Sequence, residues 1–156
     1  MRRLTLRPLL PILFVTLADA LLKEFVRSTY PLGSRTPLAG DLLLMTPGLN
    51  PGAALGISVG SVELIALLSL IGVGLLLGAL VSGLLRRPAA IAGVTLIAGG
   101  AVGNLIDRLA HGAVLDFLDL GIGTLRIPTF NLADVAISVG FTLALLDAFR
   151  SRIDPD

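Results

Sequence analysis

Four stretches of mostly apolar residues, each long enough to cross a bilayer, constrain this chain more than any other feature of its sequence. A membrane-spanning helix needs ~20 consecutive, predominantly apolar residues. The stretches run from about Pro8 to Val26, Val62 to Leu85, Pro88 to Ile106 and Leu132 to Phe149. The second is the cleanest, with no charge between Leu64 and Leu85. The first is the least clean, because it holds Asp19, Lys23 and Glu24. Only 15% of the 156 residues are charged and 54% are hydrophobic, whereas a soluble domain carries ~25% charged residues. The pattern predicts one membrane domain over residues 1–156, mainly α, with four transmembrane helices.

The first stretch also admits a rival reading as a cleavable signal peptide. Arg2, Arg3 and Arg7 would form its positive region and Ala18-Asp19-Ala20 its cleavage site. The apolar run continues through Leu21 and Leu22, and an aspartate is out of place in such a site, so a span is the expectation.

Orientation follows from basic residues beside the helix ends. Arg2, Arg3 and Arg7 precede the first span, Arg86 and Arg87 join the second to the third, and Arg150 and Arg152 follow the fourth. Four spans put all of these on one side, so both termini are expected in the cytoplasm. The opposite side carries two longer segments, roughly residues 27–61 and 107–131, in which Arg27, Arg35, Arg108 and Arg126 are offset by acids. Both are rich in Pro and Gly, and short apolar runs such as Leu42–Met45 are expected as strands. These loops are expected at the membrane surface, covering or lining a site. Small residues recur every fourth position at Gly74, Gly78 and Ser82, and again at Gly99 and Gly103, a spacing that lets helices approach closely.

Absent residues narrow the chemistry. There is no cysteine, so thiolate catalysis, disulfides and Cys-based zinc sites are excluded. His111 is the only histidine. No basic run suits nucleic acid, and one Tyr and six Phe leave little to stack on bases. No cofactor or metal is expected. Eleven acids, eleven arginines and Lys23 remain.

An ionisable residue inside a span is costly, so each needs a partner or a task. Asp19 and Lys23, four apart, share a helix face and can pair. Glu24 and Arg27 read as solvated. Asn104, Asp107 and Arg108 fall on one face at the end of the third span, where Arg108 could neutralise Asp107 and hold a loop. Asp116 lies among apolar neighbours in Val114-Leu115-Asp116-Phe117, strand-like and not obviously solvated. Asn131 suits the N-cap of the fourth helix, which puts Asp134 at its third position, where negative charge is favoured. Capping alone could explain both. Yet Asp116 and Asp134 fall on the same side of the membrane, and two carboxylates held close there would share a proton. One could then activate a water while the other donates to a peptide carbonyl.

Four ordered blocks carry a family resemblance. They are Asp19-Ala-Leu-Leu-Lys23, Asn50-Pro-Gly-Ala-Ala-Leu-Gly56, Gly103-Asn104-Leu-Ile-Asp107-Arg108 leading to Val114-Leu-Asp116-Phe117, and Phe130-Asn131-Leu-Ala-Asp134. With them the chain resembles the lipoprotein signal peptidases, or signal peptidase II, over nearly its whole length. The resemblance implies cleavage of signal peptides from diacylglyceryl-modified bacterial prolipoproteins in the inner membrane. It implies Asp116 and Asp134 as catalytic, with Asp19, Asn50, Gly52, Asn104, Asp107, Arg108 and Asn131 as supporting or substrate-binding residues. It also implies a small extracytoplasmic β-cradle and loop, a site near the outer face, membrane lipid as a partner and inhibition by globomycin. Leu55 stands where the family usually has an aromatic residue, and the tryptophan common before the fourth helix is missing.

Two other classes fit the bare residues. A serine–lysine peptidase would use Lys23 with Ser58 or Ser61. A transporter or scaffold would use the inner polar residues to hold an ion, although four spans without broken helices in matched halves argue against it.

Overall fold

The computed structural model describes residues 8–54, 57–58 and 60–153. Four long helices dominate: α1 (Leu9–Thr29), α2 (Val62–Val81), α3 (Pro88–His111) and α4 (Leu132–Ile153). Between them lie six strands: β1 (Thr36–Ala39), β2 (Leu43–Asn50), β3 (Ala53–Ala54), β4 (Ile57–Ser58), β5 (Val114–Ile122) and β6 (Leu125–Arg126). The arginines at positions 2, 3 and 7, and Leu55, fall outside the described residues.

By length and composition α2, α3 and α4 are apolar enough to cross a membrane, with mean hydropathies of 2.7, 1.8 and 1.8. At 21 residues, α1 is ~32 Å long, enough for a ~30 Å hydrocarbon core, but it carries four charges. Its burial resolves the difficulty. Leu10 and Phe14 are 73% and 74% exposed, whereas Asp19 and Lys23 are 0% and 1% exposed. Glu24 is exposed nearer the helix end, and apolar side chains outside with the Asp19–Lys23 pair inside is the arrangement that lipid as solvent imposes.

Helix ends have local causes. Pro88 opens α3 at a position where its missing N–H costs nothing. Gly112, at φ 70°, takes the left-handed conformation that closes α3, and its N–H donates to Arg108 O. The helix therefore runs to His111, past the apolar stretch ending near Ile106, and carries Asp107 and Arg108 as their spacing suggested. By contrast α2 ends at Val81, with Ser82 as C-cap, earlier than the expected Leu85.

The sheet is antiparallel in the order β1-β2-β5-β6, and β3 pairs with β4 separately. The short run Leu42–Met45 does enter a strand. Between β2 and β5 the register shifts: Met45 faces Leu118, but Gly48 faces Asp116. The extra residue lies around Thr46-Pro47, a place where a proline without an N–H is tolerated. Val26 of α1 packs with Met45, Leu115 and Phe117, which seats the sheet on one end of α1. A second cluster of Ile12, Leu80 and Ala98 joins α1, α2 and α3 farther along.

Close helix contacts depend on small residues, though only at some of the expected positions. Gly99 lies against Val15 and Gly103 against Asp19, as their spacing suggests. Gly74 and Gly78 instead face open space on α2. Close approaches between α3 and α4 occur at Gly100, against Ala133 O, and at Gly93, where a Cβ would come within 2.6 Å of Gly140 O.

Candidate active site

At the N-terminus of α4, Asn131 and Asp134 cap each other. Asp134 N–H donates to Asn131 Oδ1 (3.0 Å), and Asn131 N–H donates to Asp134 Oδ2 (3.1 Å). This is a capping box with aspartate at its third position. The capping explanation for these residues is therefore realised in full, yet it uses only part of each side chain.

The Asn131 Nδ2 group faces the other way. It donates to Asp116 Oδ1 (2.8 Å) and to Asn104 Oδ1 (3.1 Å). Asn104 Nδ2 in turn donates to Asp134 Oδ1 (2.8 Å). Asn50 completes the set from β2, donating through Nδ2 to Asp116 Oδ2 (2.9 Å). The register shift in β2 puts Asn50 within this reach. Asn50 Oδ1 accepts from Gly52 N–H (3.0 Å), which fixes the amide with its donors toward Asp116. Gly52 sits at φ 135°, a backbone conformation that favours glycine. The structure thus brings Asp116, Asp134, Asn50, Gly52, Asn104 and Asn131 into one hydrogen-bonded cluster.

Three further expected residues support the cluster. Asp19 Oδ1 accepts from Ala133 N–H (2.9 Å) at the start of α4. Its Oδ2 forms an ion pair with Lys23 Nζ at 2.7 Å. Asp107 Oδ2 accepts from Leu115 N–H (3.0 Å), tying α3 to the strand residue next to Asp116. Arg108 donates from Nη1 to Asn104 O (3.3 Å). It does not neutralise Asp107. That role belongs to Arg27 (2.7 Å) and Lys23 (3.2 Å). Arg27 is thus not merely solvated beside Glu24, which lies 3.6 Å away. Its sequence neighbours suggested a local pair and gave no sign of a partner 80 residues on.

Among the described residues, Arg108 Nε is buried without a hydrogen-bond partner. Arg108 instead lines a cleft of about 910 Å³ together with Asn50, Asp116 and Asp134. The remaining walls are largely apolar, with Leu49, Ile127, Phe130, Val135 and Val139 prominent. Such a mixture suits an extended, partly apolar ligand whose polar groups converge at one end.

Asp116 is 4% exposed. Burial pushes its carboxyl up to about 6, the Asn50 hydrogen bond opposes this, and the charge of Asp134 adds to it. Two acids that sense each other beside a cleft can divide the roles of proton donor and proton acceptor. Among the described residues, no group of three or more His, Asp or Glu side chains is arranged to hold a metal. Lys23 is ill placed for serine activation, because Asp19, Asn104 and Asp107 surround its ammonium group.

A second polar cluster, which the sequence did not suggest, lies at the far end of the sheet. Arg126 binds Asp119 and also reaches Asp41, while Arg35 lies 3.3 Å from Asp119. It fastens β6 and the turn after β1 to β5.

Residues 11–150 match the family model described as "Signal peptidase (SPase) II". The lipoprotein signal peptidase of Syntrophus aciditrophicus (strain SB) is 35% identical over 88% of this chain and 89% of that protein. That of Brevibacillus brevis (strain 47) is 36% identical over 84% of this chain and 87% of its own length. A bacterial membrane enzyme solved by the in meso method at 2.3 Å resolution superposes with a TM-score of 0.87 at 26% identity, covering 96% of this chain and 92% of the other. Sequence, relatives and fold agree, and the chain belongs to the signal peptidase (SPase) II family.

Proposed function

We propose that this chain removes signal peptides from diacylglyceryl-modified bacterial prolipoproteins, with Asp116 and Asp134 activating a water molecule. The family makes it an aspartic-type peptidase of a bacterial membrane. The observation that carries the catalytic assignment is that Asp116 and Asp134 line one cleft and are joined through Asn131.

The surrounding charges support a shared proton. Asp19, Asp107, Asp116 and Asp134 are gathered around Lys23, Arg27 and Arg108, so one proton held by the pair leaves the set neutral. Asp116, raised to about 6, is the better holder of that proton. With the proton on Asp116, Asp134 is the member of the pair left to act as base.

In the reaction Asp134 takes a proton from water as its oxygen attacks the scissile carbonyl carbon. Asp116 gives its proton to the carbonyl oxygen, forming a tetrahedral intermediate. On collapse the C–N bond breaks, the departing nitrogen takes the proton from Asp134, and Asp116 recovers its own. The products are a signal peptide with a new carboxylate and a lipoprotein with a free amino group. Arg108 holds a substrate carbonyl through the N–H bonds it leaves unused. The apolar wall of Leu49, Ile127, Val135 and Val139 accepts the lipid and the signal-peptide side chains.

The arginine clusters support an inner-membrane orientation with both termini cytoplasmic and the cleft near the outer face. The chain acts as one domain. A globomycin-type inhibitor would occupy the cleft and block entry. The test is cleavage by purified protein in micelles of a diacylglyceryl-modified precursor and of the same precursor left unmodified. The expected result is cleavage of the modified form only. Cleavage of neither, by protein shown to be folded, would overturn the proposal.

A further inference from the structure

Lys23 is the most enclosed cation among the described residues, and nothing in the reaction above uses it. At 1% exposure it touches neither cleft nor solvent. Its Nζ lies 2.7 Å from Asp19 Oδ2, 3.2 Å from Asp107 Oδ2 and 2.9 Å from Asn104 Oδ1. The two carboxylates suffice to balance it. The contact with a neutral amide needs another reason.

That contact sets a direction. An ammonium group only donates, so whatever Asn104 atom faces it must accept. Asn104 Oδ1 is therefore turned to Lys23, and Asn131 Nδ2 donates to the same oxygen. With Oδ1 committed twice, Nδ2 is left to point at Asp134 Oδ1. The reversed amide would set N–H groups against an ammonium on one side and an oxygen against a carboxylate on the other.

We infer that Lys23 is a positioning residue for the peptidase reaction, acting through the Asn104 amide to keep Asp134 Oδ1 a hydrogen-bond acceptor and so to hold the pair's shared proton on Asp116. The inference rests on the proposed catalytic pair. It assigns to Lys23 control over which aspartate is the base, which a purely structural ion pair with Asp19 would not give. The charged groups around this relay are Asp19 and Arg27 on α1, Asp107 and Arg108 on α3, Asp116 on β5 and Asp134 on α4.

The test compares Lys23→Met with Lys23→Gln, each assayed on a lipid-modified precursor in micelles for kcat, KM, pH profile and thermal midpoint. Both variants remove the charge, while Asp107 keeps Arg27 and Asp19 keeps the Ala133 N–H in each. Only the glutamine keeps N–H donors that can face Asn104 Oδ1. The expected outcome for Lys23→Met is a kcat lower by ~10²-fold, KM within a few-fold of the parent, and an acid limb of the kcat profile moved to higher pH. Lys23→Gln should retain about ten times the kcat of Lys23→Met at the same thermal midpoint. Equal kcat values in the two variants, or a parental pH profile in Lys23→Met, would overturn the inference. If neither variant folds, Asn104→Asp decides, since it keeps an acceptor for Lys23 but has no donor for Asp134. Loss of kcat there supports the relay and parental kcat refutes it. Asp116→Asn and Asp134→Asn run alongside keep the two ideas apart. Activity in those variants sinks the catalytic pair, whereas their inactivity beside a parental Lys23→Met sinks only the role of Lys23.

Discussion

Asn131 Nδ2 donates to Asp116 Oδ1 across 2.8 Å, and Asn131 is 0% exposed. The same residue caps α4 through its Oδ1. One side chain thus joins the fold of a helix end to the geometry of the candidate catalytic pair.

The two tasks can be separated. Asn131→Asp keeps an oxygen for the Asp134 N–H but loses the donors to Asp116 and Asn104. Asn131→Ala loses both. The alanine variant should lose about 1 kcal/mol of stability from the cap in addition to its activity. The aspartate variant should keep its cap yet lose ~10²-fold or more in kcat. Thermal unfolding and cleavage rates on the two variants check this. Parental activity in Asn131→Asp would show that the Asp116 contact is dispensable.

Asp116 gives the protein a pH dependence of definite sign. Its folded-state carboxyl titrates near 6 against an ordinary 3.8. A group raised on folding contributes stability at low pH that is lost as pH rises through its folded value. The difference corresponds to ~3 kcal/mol at most. Asp116→Asn removes this term, so its stability relative to the parent should improve as pH rises from about 4 to about 7, the window between the two titrations. Denaturation midpoints across that range give the measurement. A constant difference would mean that Asp116 is not raised.

Glycines on α3 and α2 should behave oppositely. A Cβ on Gly103 would lie 2.6 Å from Asp19 Oδ2, the carboxylate that also holds Ala133 N–H and Lys23. Gly103→Ala should therefore cost about 1–3 kcal/mol and lower activity. Gly78 faces open space, so Gly78→Ala should be neutral or gain up to ~1 kcal/mol from helix propensity. Equal effects would contradict the placement of α3 against α1.

Two arginines that each meet an aspartate differ in worth. Arg27 lies 2.7 Å from a 6% exposed Asp107 carboxylate and is itself 23% exposed. Arg35 is 61% exposed and 3.3 Å from Asp119, which Arg126 already neutralises. Arg27→Ala should destabilise by about 1–3 kcal/mol, and Arg35→Ala by less than ~1 kcal/mol. Unfolding of the two variants in the same detergent ranks them, and the reverse order would be inconsistent with the burial described.

Much of this was legible from residue order. The helices were readable because lipid demands long apolar runs, and the candidate pair because the family blocks pick two acids out of eleven. Asn131 and Asp134 were readable as a cap, since capping is a local rule. The role of Arg27 was hidden because Glu24, three residues away, offered a plausible local partner. The reach of Asn50 was hidden as well, because it depends on an extra residue near Pro47 that shifts the β2–β5 register. The direction of the Asn104 amide depends on donors from α1 and α4, and no local pattern encodes such a meeting. The small-residue line on α2 misled for the opposite reason: spacing permits a close contact but does not supply a neighbour.

The most direct measurement is cleavage of a lipid-modified precursor by Asp116→Asn and Asp134→Asn proteins that insert and fold as the parent does. The account expects both to fall by at least ~10³-fold in kcat, because either change removes one half of a proton-sharing pair. Parental cleavage by either variant would contradict it.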